Sequence, residues 1–224
     1  MVDIRLTAQQ ESVARVADGA YVSQRALRDG AAIYAPWVQA LVFEGKCFGI
    51  HVGSVTTPIA GHVAVDADQP EASVNIPDGT EAMPLFLTAT CETGSTTLGV
   101  GGLMFAVSNI LTGAGTSTTA TPFNLRIDAP IATAASAYVA FTGNGTDPLT
   151  AGNFLELGRQ SFILDSDAAT SGIIGARIAL SALERPMPVI VDGGSLLFYA
   201  EHATTAPSVF ATMLWAEFTE GTLT

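Results

Sequence analysis

The chain has 224 residues, 48% of them hydrophobic and 13% charged, and its 21 acidic and nine basic side chains leave it at −12. A soluble domain carries about 25% charged residues, so a chain this poor in charge predicts an outer surface partly covered by copies of itself or by a partner. No apolar run approaches the roughly 20 residues that cross a bilayer, and the shortage of Lys and Arg argues against binding nucleic acid directly or adhering to anionic membranes.

Residues 1–34 are predicted to form an arm, and residues 35–224 a single β domain. Four of the eight arginines (Arg5, Arg15, Arg25, Arg28) lie in the arm, matched there by Asp3, Glu11, Asp18 and Asp29, so the arm is neutral and the rest of the chain acidic. Within it, AQQESVARV over 8–16 predicts a short helix behind Thr7 as N-cap. The N-terminus lacks an apolar signal core, which predicts a protein made and left in the cytoplasm, or released by lysis.

From residue 38 the texture is that of strands. Segments rich in Val, Ile, Phe and Thr are predicted over 38–44, 46–52, 61–66, 72–76, 83–92, 98–107, 123–128, 137–141, 160–164, 173–183, 188–191, 195–201 and 208–218. Turn chemistry separates them at Glu44-Gly45-Lys46, Pro77-Asp78-Gly79-Thr80, Gly143-Asn144-Gly145 and Asp192-Gly193-Gly194. The uncharged stretches 112–121 (TGAGTSTTAT) and 146–152 are predicted to be surface loops. Many short strands with little helix predict an all-β antiparallel sandwich or barrel.

The last two strands are apolar on both faces. In 208–218 one face carries Phe210, Leu214 and Phe218, and the other Val209, Met213 and Trp215. In 195–200 Leu197 and Tyr199 oppose Leu196 and Phe198. A half-exposed strand alternates apolar with polar, so both faces of this sheet are expected to be covered. One cover is the domain core. The other is expected to be a loop, the N-terminal arm or a neighbouring subunit; the subunit is weighed first because the whole chain is poor in charge, with Trp215, Tyr199, Phe210 and Met213 at the contact.

Two units carry a family resemblance. Pro77-Asp78-Gly79-Thr80 turns into a strand led by Pro84, and Gly193-Gly194-Ser195 opens a strand followed by Trp215-Ala216-Glu217-Phe218. This arrangement, over about residues 38–218, resembles phage and viral jelly-roll virion proteins, the subunits that form or decorate capsids. The resemblance implies an eight-stranded double-sheet jelly roll, homo-oligomers of trimer or higher symmetry with other virion proteins as partners, no cofactor and no catalysis. The chain departs from small RNA-virus coat proteins in having no basic arm, which puts genome packaging by the N-terminus in doubt.

A search for chemistry supports the absence of a catalytic or metal site. His51, His62 and His202 form no His-x-His pair of the cupin kind, and a zinc site wants three or four ligands. Gly193-Gly194-Ser195-Leu196-Leu197 has Leu where a nucleophile elbow needs Gly. Gly99-Val100-Gly101-Gly102-Leu103-Met104 has Met where a dinucleotide fingerprint needs its third Gly. The run from Asp165 to Gly172 opens like a calcium loop, but its glycine is two places late and Ala176 stands where a Glu is required. Asp66 and Asp68 form a second acidic pair, read here as a solvated turn. Cys47 and Cys91 sit in apolar strands and are expected to be buried free thiols.

Three functions compete on these grounds. A virion shell or cement subunit accounts for the low charge and the two-faced strands. A receptor- or glycan-binding jelly-roll head uses the same fold, with aromatic and polar loops. A cupin- or glycosidase-like enzyme would need His62, Asp66 or Asp165 to act, and no ligand or acid–base constellation is visible.

Overall fold

In the computed structural model of the chain, the described residues are 36–93, 98–108, 110–111, 116–128, 130–142, 149, 154–163, 177–191, 193–202 and 206–222. The predicted arm with its 8–16 helix, the 143–145 turn, the Asp165–Gly172 run and the His202 side chain lie outside them.

One short helix, α1 (Trp37–Phe43), precedes the strands. The sequence predicts a strand here, and the structure corrects it. Val38, Leu41 and Val42 fall at helical spacing and pack on one cluster, whereas alternate residues would face opposite sides of a strand. The helix stops in a Schellman arrangement: Gly45 N–H donates to Val42 O and Lys46 N–H to Leu41 O, both at 3.0 Å. Gly45 takes the left-handed φ of +73° that this stop requires.

Strands β1 (Cys47–Val52), β2 (Ile59–Ala60), β3 (Ala72–Asn75), β4 (Thr80–Thr93), β5 (Leu98–Val107) and β6 (Thr116–Ala120) come first. They are followed by β7 (Phe123–Asn124), β8 (Ser136–Thr142), β9 (Phe154–Ile163), β10 (Arg177–Ser181), β11 (Ser195–His202) and β12 (Ser208–Thr219). One sheet has the order β10-β4-β12-β1-β7, with β2 against β12; the other has β6-β8-β3-β11-β5-β9. The pairing is that of one long hairpin wound over itself: β1 with β12, β3 with β11, β4 with β10 and β5 with β9, all antiparallel. Successive members of this set alternate between sheets, which is the jelly-roll form of a double-sheet sandwich. The insert between β5 and β9 supplies β6 and β8 to one sheet and β7 to the other.

Three predicted segments differ. Residues 61–66 are not a strand: Gly61 and His62 donate to Pro207 O and Ala200 O, and a single bridge links His62 to Glu201. Residues 188–191 keep one bridge, between Ile190 and Ala82. Conversely β6 lies within the stretch expected to be a loop; its threonines suit a pleated surface and pair with β8. Pro84 does not lead β4 but sits inside it, where the register with β12 shifts between Leu214 and Trp215. A bulge there accommodates the missing N–H.

The two sheets close on one core, built from Phe48, Ile50, Leu87, Met213 and Trp215 on one side and Val74, Met104, Leu196 and Phe198 on the other. Both sheets are also covered from outside by the chain itself. Leu41 of α1 packs with Cys47, Leu85, Ala216 and Phe218 on the outer face of the β12 sheet. On the outer face of the other sheet, Phe105, Phe141, Leu197 and Tyr199 cluster with Val65, Leu111 and Leu149.

Candidate functional site

The predicted contact residues are placed as follows. Trp215 and Met213 are 0% exposed and point between the sheets; Tyr199 is 1% exposed and its hydroxyl donates to Ala67 O at 2.9 Å. These three side chains are enclosed within the chain itself. The second apolar face of β11 is real, but the 61–70 segment covers it. That of β12 is covered at one end by α1. Phe210 alone of the four is half-exposed.

Phe210 lines an open trough of ≈ 550 Å³ on the outer face of the β12 sheet, with His51, Thr88, Thr90 and Thr212. Strand register sets this face: His51 lies opposite Thr212, and Thr212 opposite Thr88. His51 Nδ1 lies 3.1 Å from Thr212 Oγ1, and its ring stacks on Phe123 at 4.7 Å.

A second concavity, of ≈ 310 Å³, is more apolar. It is lined by Ala106, Val107, Phe154, Leu155 and the 188–191 segment. Its geometry follows from one inward residue. Ile190 exchanges two backbone hydrogen bonds with Ala82, at 2.7 and 2.9 Å, and is buried. The extended backbone therefore turns Val189 and Val191 outward. Phe154 and Leu155 begin β9, the last strand of its sheet, opposite Val107 and Ala106. These four side chains are 41–53% exposed. Farther along, the same edge is guarded: Arg185 Nη2 donates to Leu157 O, and Arg159 pairs with Glu156 at 3.0 Å. Charges of this kind block unwanted strand addition, and among the described residues that line the groove at the start of β9 none is charged.

The sequence reading missed Phe154 and Leu155 by starting the strand at residue 160. Two adjacent apolar residues with no polar alternation were the available signal. Pro188-Val189-Ile190-Val191 was recognised as extended, without the outward turn of its valines.

The remaining described candidates lie apart from one another. Among the described residues no three His, Cys, Asp or Glu side chains are grouped so as to hold a metal ion. His51 lies on the β12 sheet, whereas His62 lies beside β11, with Nε2 3.8 Å from Glu71 Oε1. Asp66 is turned onto its own loop, where Oδ2 accepts from Gln69 Nε2 at 2.6 Å. Cys47 and Cys91 are buried and free. Burial pushes both thiols up to about 12, with the nearby charge of Glu44 adding to the effect at Cys47.

The fold and surface define an all-β jelly-roll sandwich with an exposed apolar groove. No family model matches the chain, and no curated protein or solved structure matches it either.

Proposed function

We propose that this chain is a virion structural protein, a capsid-shell or capsid-decorating subunit that self-assembles as a trimer or larger ring. The observation that carries the reading is the groove formed by Phe154, Leu155, Val189 and Val191: contiguous, apolar and, among the described residues, lined by no charged side chain. Exposed apolar patches of this kind mark interaction sites. The occupant is a second copy of this chain, because the low overall charge belongs to every copy alike. A stable interface buries about 1,600 Å² in total, so the groove would form the centre of a larger contact. The virion assignment rests on the jelly-roll order and on the resemblance of the Pro77–Pro84 and Gly193–Phe218 units. The role needs no cofactor, catalytic residue, nucleic-acid contact or membrane, and places the protein in the particle after synthesis in the host cytoplasm.

Light scattering coupled to size-exclusion chromatography tests it. The wild-type chain is expected at trimer mass or above, and Leu155→Asp with Val189→Asp at monomer mass with an unchanged unfolding midpoint. A wild-type monomer at concentrations of about 10–100 μM would contradict the reading.

A glycan-binding role is favoured by one observation, the His51–Phe210 trough with its three threonine hydroxyls and no charged lining residue. Neutral sugars suit hydroxyl donors beside an aromatic ring. Retention on a glycan array that is lost in Phe210→Ala would favour this role over assembly.

A further inference from the structure

The register between β11 and β5 shifts between Tyr199 and Ala200, where β5 carries one extra residue. At this shift, polar groups of Ala200 are met by Glu71 and by the 61–70 segment. Ala200 N–H donates to Glu71 Oε2 at 2.7 Å, and Ala200 O accepts from His62 N–H at 3.0 Å. Gly61 lies so close that a Cβ there would come within 2.4 Å of Ala200 O. The carboxyl of Glu71 is 1% exposed, and its second oxygen, Oε1, has no hydrogen-bond partner. The group nearest to neutralising it is the His62 imidazole, at 3.8 Å.

The geometry points to a proton-operated latch: Glu71 and His62 hold the 61–70 segment on β11 while the pair retains a proton, and release it when both have lost theirs. With one proton on the pair, Glu71 is either a neutral acid or an anion beside an imidazolium, and both forms are tolerable in a buried site. With none, it is a buried anion that has the Ala200 amide and its own backbone amide beside it but no counter-charge, which is costly. The proton leaves to solvent, and the segment follows because water can then reach the carboxylate.

The surrounding charges agree in direction. From β11 comes Glu201, whose Oε2 accepts the Val65 amide and whose charge opposes that of Glu71. From the 61–70 segment come His62 and Asp66, the latter tied to Gln69, together with Asp68. Strand β8, whose Ala140 N–H donates to Glu71 O, supplies only Tyr138; β5 has no titratable residue. Burial foremost, and Glu201 after it, raises the Glu71 carboxyl well above the usual range, against the lowering effect of the Ala200 amide and of its own backbone amide.

What the latch controls is the aromatic layer beneath. The segment covers Tyr199, whose ring meets Phe105 edge-on at 5.4 Å; Phe105 in turn meets Phe154 at 5.4 Å. Release therefore uncovers apolar surface continuous with the groove. Only this last coupling rests on the assembly reading; the latch itself would operate in a monomer.

Amide hydrogen exchange read by mass spectrometry tests it, with the intrinsic pH dependence divided out. Between about pH 5 and about pH 9, protection of peptides over 61–70 is expected to fall at least about tenfold while β12 peptides hold. In Glu71→Gln the change is expected to stay under about twofold, because no charge develops. In His62→Gln the loss is expected at lower pH, because the anion has no cation from the start. A wild-type response that is flat, a Glu71→Gln response that follows the wild type, or a His62→Gln response that coincides with it would overturn the latch. If Glu71→Gln fails to fold, the comparison of His62→Gln with wild type decides. The measurement is read at monomer and assembly concentrations alike, so its failure is separable from that of the assembly reading.

Discussion

Trp215 donates its indole Nε1–H to Glu217 Oε1 at 2.7 Å, two residues along the same strand. The same carboxylate accepts the Thr133 hydroxyl, the Ala134 amide at 2.8 Å and the Ala135 amide at 3.4 Å. One side chain thus ties the inter-sheet core to the segment that leads into β8. A buried carboxylate with four donors is satisfied and fixed in place.

Glu217→Ala is expected to destabilise the fold by about 2–4 kcal/mol, because it leaves a buried indole N–H and backbone amides unpaired. Glu217→Gln should cost less, since its amide oxygen keeps part of the set while its NH₂ faces a donor. Urea unfolding followed by tryptophan fluorescence measures both. A loss below about 1 kcal/mol for the alanine variant would show that the knot is dispensable.

The outer seal of the β12 sheet makes a second test. Leu41 is the buried residue of α1 and packs on Cys47, Leu85, Ala216 and Phe218. Leu41→Ala is expected to lower stability by about 2–4 kcal/mol through lost burial and a residual cavity. Its oligomeric state should match the wild type. A change in assembly with unchanged stability would mean that this face meets another chain instead of α1.

Much of the architecture is written in local pattern. Strands β1, β3, β4, β5, β8, β11 and β12 follow from β-branched and aromatic runs cut by turns such as Pro77–Thr80, where Gly79 takes φ of +79°. Helix α1 does not, because seven apolar-rich residues fit a short strand as well as two helical turns. The outer cover of β11 and β12 is not legible for a deeper reason. Two apolar faces on β11 and β12 require two covers, but a period of two cannot say which polypeptide supplies the second. Here α1 and the 61–70 segment supply it, from sequence positions more than a hundred residues away. Three acidic residues, Glu71, Glu81 and Glu217, are buried and accept backbone amides from Ala200, Gly221 and Ala134. Their partners are distant in sequence, so no local motif announces them.

The cysteines give a chemical check on the core. Thiolate is the reactive form, and with both thiols pushed up to about 12 neither carries appreciable thiolate in the folded chain. At about pH 8 a disulfide exchange reagent is expected to leave both untouched over hours and to titrate two thiols in denaturant. Rapid labelling of either in the native protein would place it at a surface.

The Glu71 carboxyl also sets a slope in global stability. Its folded value is raised by burial, whereas in the unfolded chain it titrates near the ordinary 4.3 or so. Between those two values the folded state holds a proton that the unfolded state has lost. Stability from this group is therefore complete below the ordinary carboxylate value and falls as pH rises toward the folded one, by at most about 1.4 kcal/mol per pH unit. Above the folded value the slope from this group vanishes. Glu71→Gln removes the proton exchange, so wild type minus variant, measured by urea unfolding from about pH 4 upward, should decline with pH and then level off. A difference that stays constant, or that rises with pH as a salt-bridged carboxylate would make it, would show that Glu71 is ionised in the folded chain.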